Sequence, residues 1–211
     1  MKKALIIILM VALAFPFLIF ADNGFLKMDK VDLVDIIFDL PIEENLMTDE
    51  EREVITKEYN VGYNPENNTL VAVGYGRNRN MAIVDAYRSA IKEIDYQLTA
   101  RMNLFVSSTL VDMTDYVRFY AINRSRLVGM ILEQSEDAVI EEMNGGVFVS
   151  RYVGTINFDT AFVAMINAAT QQMGISEEVA GEAQILLNRL SGYYKEQTPK
   201  TFTFVNGVLA K

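Results

Sequence analysis

The most regular pattern in the chain spans residues 81–106, where Ile83, Ala86, Ala90, Ile94, Leu98, Met102 and Phe105 recur at steps of three or four. Asp85, Arg88, Lys92, Glu93, Asp95 and Arg101 mostly occupy the other directions. This is the period of a helix with one buried stripe, and its alanines allow a sheet to approach closely. Just upstream the period changes to two. Thr69, Val71, Val73 and Tyr75 alternate with Leu70, Ala72 and Gly74, which predicts a strand. Gly76, Arg77, Asn78, Arg79 and Asn80 then break it and supply asparagines suited to capping the helix. Through residues 107–116 the pattern predicts a helix that continues or restarts.

Residues 127–143 and 147–158 read as two extended arms around Asn144, Gly145 and Gly146. An Asn-Gly pair supplies the positive backbone dihedrals of a tight hairpin turn. The charged run at 133–137 is expected to bend or bulge the first arm. Asp159 is placed to cap a helix over 160–173, with Phe162, Met165, Ile166 and Ala169 on its apolar face and Gly174 at its end. Ser176 can open a further helix through Leu190, with Val179, Ala183, Leu186, Leu187 and Leu190 inward. Residues 201–205 would add an edge strand. The expected fold is α+β: an antiparallel sheet including a long hairpin, packed by the long helix and the C-terminal helices.

Two weaker patterns precede this body. Val31, Val34, Ile37 and Phe38 share helix-like spacings before Pro41, and Thr48 with Glu51 has the arrangement of a capping box. Residues 22–58 carry 12 acids against 4 bases, whereas residues 59–211 carry 16 against 13. An acidic, partly helical leader therefore joins a nearly balanced body. It is expected to pack one apolar stripe onto that body or to dock another protein.

At the start, Lys2 and Lys3 precede an uncharged apolar run over 4–21, and Ala21 is followed by Asp22, Asn23 and Gly24. That order is expected of a signal peptide cut after Ala21, the alternative being an uncleaved N-terminal anchor, and residues 1–21 are assigned to export. Removal would change the formal charge from −9 to −11. With cleavage no stable transmembrane anchor is expected, and residues 59–211 form a single α+β domain. No basic face points to nucleic acid.

The 211-residue chain contains no cysteine, histidine or tryptophan. Disulfides, thiol nucleophiles, Cys/His zinc sites and imidazole-dependent triads are thereby excluded. The remaining motifs carry little chemistry. Gly74, Tyr75 and Gly76 lack the further spacing of a phosphate-binding loop and read as close-packing glycines. Glu133, Glu136, Asp137, Glu141 and Glu142 have no fixed geometry across a cleft. Ser107, Ser108, Ser125 and Ser150 have no neighbouring histidine and no Ser-x-x-Lys arrangement. Arg77 and Arg79, beside a helix N-terminus, are the candidate anion contacts. Of the tyrosines, Tyr193 and Tyr194 after Gly192 are the candidate partner contacts. No catalytic residue, cofactor or metal site is expected.

Val71 to Gly76, the alanines Ala82, Ala86 and Ala90, and the hairpin segment at 127–156 with its turn together carry a resemblance. Over residues 69–173 the chain resembles the LPP20 family of bacterial envelope proteins and the related N-terminal domain of the flagellar assembly protein FlgT. The resemblance implies an α+β domain in the periplasm or at the cell envelope, used in protein assembly without a shared catalytic constellation. Unlike the lipoprotein members, this chain has no cysteine for lipid attachment. The leading expectation is a non-enzymatic exported envelope protein acting in protein-protein assembly or structural support, with an envelope protein or another copy of itself as partner. The alternative is a periplasmic small-ligand binding protein or carboxylate-dependent hydrolase, with Arg77, Arg79 and a hairpin carboxylate converging on a pocket.

Overall fold

The computed structural model describes residues 34, 46–132, 139–143, 146–191, 203–205 and 208–210. In chain order the elements are helix α1 (Asp49–Glu58), strands β1 (Gly62–Asn64) and β2 (Thr69–Gly76), and helices α2 (Arg79–Ser107) and α3 (Thr114–Leu132). Strands β3 (Val139–Met143) and β4 (Val147–Thr155) and helices α4 (Phe158–Gln172) and α5 (Glu177–Ser191) follow. Strands β5 (Thr203–Val205) and β6 (Val208–Ala210) come last. The fold is α+β. Its main sheet is antiparallel, in the order β1-β2-β4-β3.

The expected strand and long helix form as their periods dictate. Asn78 caps α2 by accepting the Met81 N–H at 3.0 Å, so the helix starts where the asparagines allow. Its Ala82, Ala86 and Ala90 are fully buried against the sheet. Opposite them, a Cβ built at Gly74 would overlap the backbone of Asp85 and Ala86, and one at Gly76 would overlap that of Ala82. Both glycines are therefore needed because helix and strand backbones nearly touch. Tyr87 meets Tyr152 of β4 edge-on at 5.3 Å, continuing this contact across the sheet.

Beyond the sheet, the second half of α2 anchors the other helices. Phe105 packs edge-on to Tyr116 of α3 and Phe162 of α4, at 5.5 and 5.7 Å. Asp95 ties α2 to α3, accepting from Tyr120 at 3.0 Å and from Arg124 at 2.5 Å. Burial pushes the Tyr120 phenol up to about 12. Arg101 ties α2 to α4 through Asp159 at 2.6 Å. One large apolar cluster runs through all these contacts, and Val34 of the leader lies within it, fully buried.

The opposite face of the sheet is covered differently. Helix α1 opens with both halves of the expected capping box, Thr48 receiving the Glu51 N–H and Glu51 receiving the Thr48 N–H. It buries Ile55 against Val73 and Val149, a separate small cluster. Its rim is held by arginine over aromatic rings: Arg52 over Tyr75 at 5.6 Å and Arg151 over Tyr59 at 5.2 Å.

Three expectations change. Residues 127–132 end helix α3 and are not a strand arm, and the hairpin's first strand is only Val139–Met143. Leu127 through Leu132 are buried almost all round, so their sequence lacks the alternation that separates a strand from a buried helix end. The expected bulge at 133–137 lies outside the described residues. Asn157, not Asp159, caps α4, receiving the Thr160 N–H at 2.9 Å and leaving Asp159 free for Arg101. Thr203–Val205 is a strand, but it pairs with Val208–Ala210 in a second two-stranded sheet and adds nothing to the main sheet's edge.

Candidate functional site

Strand β1 ends its pairing with β2 at Gly62, opposite Val71. The chain before it turns away: Asn60 has a φ of 51°, and the Val61 N–H bonds to Thr56 O at 3.0 Å. Among the described residues no strand pairs with the outer edge of β2 beyond Val71. Along a strand the main-chain groups of alternate residues point to opposite sides. Asn68 O points to β4, where it receives the Ile156 N–H at 2.7 Å, so Val71, Val73 and Tyr75 present their groups to the β1 side. Val71 faces Gly62. Tyr75 donates its N–H to Asp85 Oδ2 of α2 at 3.0 Å, a side-chain substitute for a strand. Val73, between them, turns its N–H and C=O to the same side, where no described strand pairs with it.

Beside it is a groove of about 270 Å³. Arg52 and Thr56 of α1 form one wall, Ser89 and Glu93 of α2 the other, and Val73 and Tyr75 the floor. Arg52 sits among four acids in the sequence, yet it forms no ion pair among the described residues, and its Nε is buried without a hydrogen-bond partner. Glu51 is engaged with the Thr48 N–H at 2.9 Å, and Glu53 with Lys57 at 2.7 Å. Across the groove Glu93 accepts from Gln97 at 2.7 Å. Burial raises the Tyr75 hydroxyl above its ordinary value, and the Arg52 charge works against that rise. The arrangement can receive an extended backbone at Val73 and polar side chains at both walls.

The residues singled out from sequence lie elsewhere. Arg77 and Arg79 are exposed, one in the β2–α2 loop and the other at the first position of α2, and neither lines the groove. The nearby Met81 amide is already taken by Asn78. Tyr193 and Tyr194 are outside the described residues, as are Glu133, Glu136 and Asp137. Ser107 and Ser108 both donate to Leu104 O, at 3.1 and 2.6 Å, as ordinary helix-end serines do. Ser150 is fully buried and its Oγ has no hydrogen-bond partner, so no base stands beside it. Tyr87, Tyr116, Tyr120 and Tyr152 belong to the core, while Tyr96 is 64% exposed. Sequence reasoning missed Arg52, Val73 and Glu93 as a group. The only local signal was a basic residue facing inward from an acidic helix.

Among the described residues there is no cluster of three or more acidic side chains placed to hold a metal ion. Among the same residues no helix is long and apolar enough to cross a membrane. No protein-family model, curated protein or solved structure matches the chain.

Proposed function

We propose that this chain is a non-enzymatic exported protein of the periplasm or cell envelope, acting in protein-protein assembly by receiving an extended segment at the free edge of β2. The observation that carries the reading is the Val73 main chain, which directs a donor and an acceptor into a groove walled by two helices. Such an edge is matched by a backbone in extended conformation, which supplies both complementary groups at once. The signal-like order of residues 1–21 and the resemblance to the LPP20 family over 69–173 support the location and the assembly role. The partner is an envelope protein or a second copy of the chain.

A proline at Val73 removes the edge donor and also a side chain buried against Ile55, so the fold is read beside the contact. The Val73 nitrogen points away from β4, and proline is tolerated where a strand's N–H faces outward. A photoreactive residue at Ser89 should give a discrete adduct in envelope material, and Val73→Pro should reduce it at least tenfold with the far-ultraviolet dichroism unchanged. A probe at Ile122, exposed on α3 away from the groove, should not give that adduct. An adduct of undiminished yield in the folded proline variant would show that the edge is not the contact.

A further inference from the structure

Resting on that reading, we infer that the segment received at the β2 edge carries adjacent residues of opposite charge: a carboxylate toward Arg52 and a cation toward Glu93. In an added strand successive side chains point to opposite faces of the sheet. At this edge the two faces are walled by different helices. Arg52 and Thr56 belong to α1 on one face, and Ser89 and Glu93 to α2 on the other. Neighbouring residues of the incoming strand therefore meet walls of opposite sign.

Each wall has binding capacity to spare. A guanidinium stacked over a ring uses its flat face and keeps its in-plane N–H groups for a planar acceptor. Arg52 lies over the Tyr75 ring at 5.6 Å, and its buried Nε has no hydrogen-bond partner. The acids beside it on α1, Glu51 and Glu53, are turned to Thr48 and Lys57. On the α2 wall the known bond to Gln97 occupies one oxygen of Glu93, and a carboxylate accepts several donors. Asp85 of the same helix is already committed, to the Tyr75 N–H and to Arg88 at 3.4 Å, which leaves Glu93 as the acid lining this wall. A carboxylate directed there would meet like charge, as would a cation directed to Arg52.

The test uses the purified chain with isotope-labelled amides and four capped hexapeptides. These are Val-Thr-Glu-Lys-Thr-Val and its relatives with Glu-Glu, Lys-Lys or Gln-Gln at the centre. The Glu-Lys peptide should bind at least tenfold more tightly than the Gln-Gln peptide and shift the Val73 amide resonance. Arg52→Glu should move the preference to Lys-Lys, and Glu93→Lys should move it to Glu-Glu. These two variants lie on different helices, so the loss of one fold leaves the other arm readable. Equal binding of all four peptides with a Val73 shift would retain strand addition and overturn the charge pairing. Absence of any Val73 shift at millimolar peptide would overturn both.

Discussion

The two faces of the main sheet are built on different principles. Against one face, α2 lies so close that Gly74 and Gly76 have no room for a side chain, and the apolar contact continues through Tyr87, Phe105 and the helices beyond. Against the other, α1 buries Ile55 with only Val73 and Val149 and relies on arginines laid over tyrosines at the rim. Contiguous apolar burial makes the first face the source of stability, because removal of apolar surface from water is the main favourable term in folding. The second face has little such area and keeps unspent polar groups at the edge. Local opening is least costly where buried contacts are few, which is also where a partner can be admitted.

The strongest way to break this comparison is at Gly74. Gly74→Ala would force a Cβ into the α2 backbone and should cost about 3 kcal/mol or more, since overpacking a rigid contact is at the severe end of core substitutions. Urea denaturation should show a single transition moved to much lower denaturant. Wild-type stability in that variant would mean that the close approach does not hold the two layers together. Ile55→Ala should cost less, about 2 kcal/mol, at the low end for truncation of a buried aliphatic side chain. Its amide shifts should be confined to α1, β2 and β4, and changes reaching Phe105 or Tyr116 would contradict the separation of the two clusters.

The smallest effect at neutral pH concerns the tyrosines. Burial between α2 and α3 disfavours the Tyr120 anion and pushes its phenol up to about 12, above the ordinary tyrosine value. The folded state therefore holds its proton longer than the unfolded state does. This contribution to stability is complete below about pH 10 and is lost as pH rises toward about 12. Tyr120→Phe should flatten the alkaline fall in denaturation midpoint across that window and leave the midpoint's pH dependence near pH 7 unchanged. An unaltered alkaline limb would place the controlling ionisation elsewhere.

Much of the first face was legible along the chain. The period of Ile83 to Phe105, the alternation of Thr69 to Tyr75 and the asparagine caps each express a local rule, and the structure follows them. Residues 127–132 were not legible as helix, because a fully buried run carries no period that separates helix from strand. The capping box at Thr48 and Glu51 announced α1, but nothing in its pattern said which sheet face it would cover. The groove was legible only in fragments. Arg52, Val73 and Glu93 are widely separated in sequence, and no motif spacing joins them.

The sequence by itself determined the absence of cysteine and histidine chemistry, the α+β class and the identity of the principal strand and helix, since composition and local periodicity are properties of neighbouring residues. Only the tertiary structure decided that β1 stops at Gly62, that Asp85 substitutes for a strand at Tyr75, and that Arg52 and Glu93 line one groove at the remaining edge. Those features depend on where α1 and α2 meet the sheet. Such positions are set by packing between distant segments, which local sequence patterns do not encode.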